Sequence, residues 1–153
     1  MSITAFRGRW TRLGNYSACT VFCQGHAYPS VEHAYQAQKS ADPAVQKAVR
    51  DCAGPAAAKR MARLVPLRED WEHVKLQVME DLLREKFSQE PERSILLATG
   101  REALIEGNWW HDIFWGQCPV GVGKNHLGRL LMKLRDELQD GLDLHPPSED
   151  YVP

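Results

Sequence analysis

No stretch of this sequence is long and apolar enough to cross a membrane. A membrane-spanning helix needs about 20 consecutive apolar residues, and no run among the 153 residues approaches that length. Residues 1–4 also lack the basic segment followed by an apolar segment that is typical of a secretion signal. We therefore expect a cytoplasmic protein that has no membrane partner.

The sequence also lacks an excess of charge of either sign. It has 19 Lys and Arg residues against 20 Asp and Glu residues, which gives a formal net charge of -1. A broad nucleic-acid-binding face needs many uncompensated cations, so we do not expect one, although a small phosphate site remains compatible. A chain of this length can bury roughly two thirds of its surface, which is sufficient for a core without disulfides.

Metal-binding and nucleotide-triphosphate motifs are missing as well. The four cysteines, at positions 19, 23, 52 and 118, do not form the two close pairs of a structural zinc site, so buried thiols are the simpler interpretation. The segment 116–125 is similar to a phosphate loop, but Cys118 and Asn125 stand where that motif needs Gly and Ser or Thr. Backbone amides and Lys124 at a helix start can still receive a phosphate. We expect no metal and no cofactor.

The pattern of apolar residues and helix-capping residues predicts an α+β fold that is mostly α-helical. Short strands are expected near the N-terminus, at residues 3–6, 20–23 and 27–28, and again at 103–106. Helices are predicted at 31–39, 43–50, 55–63, 70–87, 91–99 and 125–138. We assign residues 1–139 to one domain. The acidic, proline-containing residues 140–153 are expected to be a disordered tail, with packing of its last turn as the alternative.

Three polar residues share one side of the first predicted helix. Glu32, Gln36 and Lys39 are spaced at i, i+4 and i+7, so a helix projects all three in a similar direction. A carboxylate, an amide and an amine in this arrangement can serve as an acid, an orienting group and a nucleophile. A solvated polar face is the alternative interpretation, and spacing alone favours it.

An aromatic loop follows the predicted strand at 103–106. Trp109, Trp110 and Trp115 flank His111 and Asp112 within seven residues. Exposing three indole rings is costly, so some are expected to lie in the core and some to form the wall of a pocket, where they can stack on a base or a sugar. An aspartate between them can hold a hydroxyl or a developing positive charge.

Several ordered sequence blocks resemble the NADAR superfamily, which includes the YbiA-like N-glycosidases. The resemblance extends over about residues 6–136. The blocks lie at residues 6–8, 13–16, 25–39, 55–59, 71–75 with Met79, 86–87, 96–100, 104–106, 112–116, 123–128 and 131–135. Each block is weakly specific alone, but their order along the chain is specific.

The resemblance implies an enzyme that cleaves the N-glycosidic bond between a ribose and a base-like leaving group. The implied substrates are phosphoribosylamino-pyrimidines of riboflavin synthesis or ADP-ribosylated guanine, as a free nucleotide or at a nucleic-acid end. We expect Glu32, Lys39 and Asp112 to be catalytic. The residues expected to bind substrate are Arg7, Gly8, Asn15, Tyr35, Gln36, Trp71, Trp115, Gly116, Lys124 and Asn125.

Two features depart from the family pattern and leave alternatives open. The family usually has Leu-Ser-Asn-Phe where this chain has residues 13–16, so a hydroxyl is missing while Asn15 remains. The stretch 108–111 is also unusual, which leaves the substrate undetermined. A module that binds ADP-ribose or a related metabolite without cleaving it is the alternative function, and a purely structural helical domain is a third.

Overall fold

The computed structural model describes residues 1–145, and it confirms the mostly helical α+β fold. The described chain divides into two compact units, one formed by residues 1–14 and 87–145 and the other by residues 15–86. Below, these are the split unit and the continuous unit. Within residues 1–145, no helix has both the length and the apolar character that a membrane span requires.

The continuous unit begins with a hairpin. Strands β2 (Val21–Cys23) and β3 (His26–Tyr28) pair antiparallel, with Val21 opposite Tyr28. The two turn residues, Gln24 and Gly25, both have positive φ, which is the geometry that favours a tight two-residue hairpin turn.

Four helices follow the hairpin in the same unit. They are α1 (Val31–Ala37), α2 (Pro43–Arg50), α3 (Pro55–Ala62) and α4 (Trp71–Phe87), and α1, α2 and α3 pack against one another. Ser30 caps α1 by accepting a hydrogen bond from the His33 backbone N–H at 3.1 Å. Proline occupies the first position of both α2 and α3, where its missing N–H costs nothing.

The split unit contains a small parallel sheet and three helical segments. Strand β1 (Ser2–Ile3) pairs with β4 (Ala103–Leu104). A 3₁₀ helix (Gly8–Leu13) packs on α5 (Glu92–Ala98), and α5 contacts α6 (His126–Gln139). The buried residues on the inner side of α6 are Leu127, Leu131, Leu134 and Leu138.

Three features of this unit differ from the sequence-based expectation. The predicted strands at 3–6 and 103–106 are two residues long, and residues 8–13 form a 3₁₀ helix. Residues 140–145, assigned above to a disordered tail, are ordered here. Leu144 is buried and His145 Nε2 lies 2.8 Å from Ser88 Oγ, because an apolar side chain after α6 finds a place in the core. The remainder of the predicted tail, residues 146–153, lies outside the described residues.

Candidate active site

Helix α1 carries a buried pair of polar side chains. Glu32 is 7% exposed and Gln36 is 3% exposed. Gln36 Nε2 donates a hydrogen bond to Glu32 Oε1 at 2.8 Å, as the i, i+4 spacing allows. The backbone N–H of Glu32 donates to the carbonyl of Asn15 at 3.1 Å. The alternative of a solvated polar face is therefore wrong, since a buried carboxylate needs a specific role or specific partners.

Lys39 lies just beyond the end of α1. The sequence predicted that the helix would continue through this residue, but α1 ends at Ala37, and the chain turns with the Lys39 N–H donating to the Gln36 carbonyl at 3.3 Å. The Arg68 N–H donates to the Lys39 carbonyl at 2.8 Å, which fixes the turn from the other side. The Lys39 backbone is therefore held in place without a helical conformation.

The environment of Lys39 lowers the pKa of its ammonium group. Burial lowers the pKa of the Lys39 ammonium from its ordinary value; the carboxylate of Glu32 opposes this effect, and the charges of Lys59, Arg63 and Lys75 reinforce it. A neutral amine is the form that can act as a nucleophile. Lys39 therefore combines an adjacent carboxylate with a lowered pKa.

An aromatic pair borders this lysine. The Tyr35 and Trp71 ring centroids are 5.2 Å apart with an interplanar angle of 55°, and Lys39 Nζ lies 5.5 Å from the centroid of Tyr35. Trp71 is 4% exposed, so its ring is fixed by packing rather than mobile in solvent. The rings give the cluster a rigid apolar side suited to a planar or sugar-like group.

Two buried oxygen atoms near Glu32 lack hydrogen-bond partners. Within residues 1–145, neither Asn15 Oδ1 nor Gln36 Oε1 has a donor, although Asn15 Nδ2 contacts Met79 Sδ at 3.5 Å. Leaving a buried acceptor unpaired costs about 1–3 kcal/mol. Both acceptors belong to residues that contact Glu32, Gln36 through its side chain and Asn15 through its backbone carbonyl.

In the split unit, the loop that contains Asp112 is fixed by side-chain hydrogen bonds. Asp112 Oδ1 accepts from the Trp115 N–H at 2.9 Å. The side chain of Asn108 donates to the Asp112 carbonyl at 2.9 Å and accepts from the Asp112 N–H at 3.0 Å. Trp115 packs edge-on against Phe114, with centroids 4.8 Å apart. These bonds hold Asp112 and Trp115 in a defined relative orientation.

The side chain of Asn125 forms hydrogen bonds that stabilise the fold. Its Oδ1 accepts from the Glu106 N–H at 3.0 Å and its Nδ2 donates to the Leu104 carbonyl at 2.9 Å, while the residue is 4% exposed. Asn125 therefore has a structural role, because its polar atoms satisfy backbone groups, and its expected role in substrate binding stays a prediction. A Cβ on Gly116 would lie 2.1 Å from the Glu106 carbonyl oxygen, so Gly116 permits close backbone packing.

The remaining predicted binding residues also lie in the split unit. Lys124 is exposed, with its Nζ 5.9 Å from the Phe114 ring centroid. Arg7 is exposed and immediately precedes the 3₁₀ helix, and Gly8, the first residue of that helix, has φ of +57°.

Each unit thus brings together its own group of predicted site residues. The continuous unit brings together Glu32, Gln36, Lys39, Tyr35 and Trp71, with Asn15 joined through its backbone. The split unit brings together Asp112 and Trp115, and it gives Gly116 and Asn125 structural roles. Within residues 1–145, no group of three His, Cys, Asp or Glu side chains is arranged to hold a metal ion.

The family model of the NADAR domain matches residues 7–139, which is most of the chain. The chain belongs to the NADAR family. The N-glycosidase YbiA of Escherichia coli K12 is 43% identical over 129 residues, covering 82% of this chain and 80% of that protein. The solution structure of E. coli YbiA matches with a TM-score of 0.80 and 36% identity, covering 99% of this chain and 90% of that one. A riboflavin biosynthesis protein of Vibrio vulnificus is 41% identical, over 84% of this chain and 35% of that protein.

Three cations that act on Lys39 in this NADAR chain were not predicted from the sequence. Lys59, Arg63 and Lys75 come from α3, its C-terminal boundary and α4, and each acts on the Lys39 ammonium. Lys59 and Arg63 are spaced at i, i+4, which is a signal that they share a side of α3. No pattern in the sequence indicates that this side approaches Lys39, since that depends on how α1 and α3 pack.

Proposed function

We propose that this chain is an enzyme that hydrolyses the N-glycosidic bond between a phosphorylated ribose or ADP-ribose and a base-like leaving group. The observation that carries the proposal is the contact of a buried carboxylate, Glu32, with Gln36, beside a lysine whose pKa is lowered by burial. Membership of the NADAR family and the N-glycosidase name of its E. coli relative support the same reaction class.

The chemistry of ribosyl transfer explains why these groups are needed. Breaking the bond between C1′ and the base nitrogen places positive charge on the sugar and negative charge on the leaving nitrogen. A carboxylate stabilises the former, and a proton must reach the latter. The Glu32 carboxylate lies close enough to Lys39 for its charge to oppose the lowering of the lysine pKa. If the reacting sugar lies at Lys39, the same carboxylate can stabilise the positive charge on the sugar and transfer a proton to the leaving nitrogen.

In the proposed reaction, the neutral Lys39 amine donates its lone pair to C1′, and the electrons of the C1′–N bond leave with the base. Glu32 takes a proton from the newly bonded nitrogen and passes it to the leaving nitrogen. The sugar ring then opens to an imine on Lys39, and water hydrolyses this imine, which releases the sugar and restores the amine. Gln36 orients Glu32 through the 2.8 Å hydrogen bond.

The other groups have proposed roles in binding. Tyr35 and Trp71 offer aromatic faces to the base or ribose, and Trp115 and Asp112 are the proposed base- and hydroxyl-binding residues of the split unit. The cations that act on Lys39 favour a substrate that carries phosphate. The riboflavin biosynthesis name of the Vibrio relative makes phosphoribosylamino-pyrimidines the first substrates to test, followed by ADP-ribosylated guanine nucleotides.

The test is incubation of the purified chain with both substrate classes, with products identified by mass spectrometry. Borohydride added during turnover is expected to fix a sugar on the peptide that contains Lys39. The Glu32→Gln variant is expected to lose about 10²- to 10⁴-fold in rate, which is typical for removal of a general acid or base. A folded Glu32→Gln protein with full turnover contradicts the proton-transfer role. Tight binding of ADP-ribose without conversion of any substrate indicates the non-catalytic binding module instead.

A further inference from the structure

The split unit contains a groove that the proposed reaction at Glu32 and Lys39 does not use. It has a volume of about 410 Å³, within the range of roughly 300–1,000 Å³ that is typical of small-ligand sites. Residues from three segments line it: residues 4, 5 and 7, residues 105 and 107–109, and residues 117–119 and 121. All three belong to the split unit, so the groove is complete within that unit.

Backbone contacts fix the walls of this groove. The Asn108 N–H donates to the Gln117 carbonyl at 3.0 Å, and the Gln117 N–H donates to the Glu106 carbonyl at 2.9 Å. A Cβ on Gly107 would lie 2.0 Å from the carbonyl oxygen of Thr4, so the backbone at Thr4 packs directly against this glycine. The groove is therefore preformed, which reduces the entropic cost of binding.

The groove combines one positive charge with an aromatic surface. Arg7 is the one charged residue among those lining it, and within residues 1–145 it forms no ion pair. Trp109 also lines the groove, and it is 70% exposed, an unusual exposure for a large apolar ring. Thr4 and Gln117 are polar residues that also line the groove.

We propose that this groove is a binding site for a purine mononucleotide, with the base stacked on Trp109 and the phosphate on Arg7. An unpaired guanidinium matches a phosphate in charge and in the geometry of its donors. An exposed indole gains burial and stacking energy when a planar base covers it. A nucleotide supplies both groups in one molecule, and the volume of the groove accommodates it.

A cysteine in the groove provides a direct assay. Cys118 is half-buried and lines the groove, so a bound nucleotide is expected to shield its thiol. The experiment measures the rate of iodoacetamide alkylation at Cys118 by peptide mass spectrometry, with and without guanosine 5′-monophosphate. We expect saturating nucleotide to slow alkylation at least about fivefold at Cys118 and to leave Cys52, in the continuous unit, unchanged.

Matched variants identify the groups that bind the nucleotide. Trp109→Ala is expected to weaken binding, measured by calorimetry, by roughly 5- to 150-fold, the equivalent of losing one stacked base. Trp110→Ala is the control, because Trp110 is 58% exposed and does not line the groove. Arg7→Gln is expected to weaken binding of the nucleotide at least about tenfold while affecting binding of guanosine much less.

Nucleotide binding in the groove and catalysis at Lys39 can be tested independently of each other. Protection of Cys118 should persist in a folded Lys39→Met variant, because the groove does not include Lys39. Protection that disappears in Lys39→Met but persists in Trp109→Ala overturns the inference and places the nucleotide elsewhere. Absence of protection up to about 1 mM nucleotide also overturns it, whatever the glycosidase assay shows.

Discussion

Replacing Gln36 by leucine tests whether the buried polar pair on α1 exists for stability or for chemistry. Two energetic effects of the change oppose each other in the ligand-free protein. Gln36→Leu removes a hydrogen bond to a carboxylate, worth about 1.5–3 kcal/mol. It also removes the buried Oε1, whose burial without a partner costs about 1–3 kcal/mol. We therefore expect the free energy of unfolding to fall by at most about 2 kcal/mol or to rise by at most about 1.5 kcal/mol.

The expected effect of Gln36→Leu on catalysis is much larger, because the loss of the hydrogen bond and the loss of the acceptor oxygen both destabilise the transition state. The transition state loses the group that orients Glu32, and it loses an acceptor available to the substrate. If each contact contributes about 1.5–3 kcal/mol, the loss in kcat/KM is about 10²- to 10⁴-fold. A stable but inactive protein is therefore the signature of a functional pair.

Two assays on the same preparations decide the question. Thermal unfolding should show a Tm change within about 8 °C, since 1 kcal/mol corresponds to roughly 2–4 °C for a domain of this size. The value of kcat/KM is measured on the substrate found by the mass-spectrometric screen. Gln46→Leu is the matched control: Gln46 Nε2 donates to the Ser40 carbonyl at 2.8 Å in the same unit, and its loss should leave kcat/KM unchanged. A Gln36→Leu protein that loses more than about 3 kcal/mol of stability and keeps kcat/KM within threefold refutes the reasoning.

Three further predictions concern Lys39 and Asn125. Lys39→Met should raise the free energy of unfolding near pH 7, because the lowered pKa means that the unfolded chain binds the Lys39 proton more tightly than the folded chain does. Denaturant titrations should show that this gain in stability disappears as the pH rises to the ordinary lysine pKa of about 10.4. If the amine is the nucleophile, kcat should rise with pH through the pKa of Lys39, with a midpoint below the ordinary lysine value, and a flat profile over that range counts against attack by Lys39. Asn125→Ala should lower the free energy of unfolding by about 1–3 kcal/mol, because it removes two buried hydrogen bonds, to the Glu106 N–H and to the Leu104 carbonyl. A loss under about 0.5 kcal/mol in thermal unfolding contradicts that structural role.

The helices could be predicted from the sequence because their ends are encoded locally. The cap at Ser30 and the prolines at 43 and 55 specify where α1, α2 and α3 begin, and the structure starts each helix there. The early end of α1 was not predictable in the same way. The Arg68 N–H reaches the Lys39 carbonyl at 2.8 Å, so a partner 29 positions away helps to set that turn.

The roles of site residues depend even more on distant contacts. Asn125 resembles a binding residue in sequence, yet its partners lie 19 and 21 positions earlier in the chain. Lys86 gives no signal in sequence of being fully buried, and its Nζ donates to Ser17 Oγ at 3.0 Å. Spacing on one helix, by contrast, correctly predicted that Glu32 and Gln36 meet.

The cluster around Glu32 carries costs that folding alone does not explain. The ammonium of Lys39 is disfavoured by burial, and the oxygen atoms Asn15 Oδ1 and Gln36 Oε1 are buried without donors in the described chain. Local violations of polar satisfaction are typical of functional sites, where stability is exchanged for a prepared environment. A sugar hydroxyl that donates to either oxygen removes its penalty on binding, and a sugar that reacts with Lys39 removes the buried charge. The same atoms that make the free protein less stable than its packing allows are therefore the atoms through which a ribosylated substrate should stabilise it.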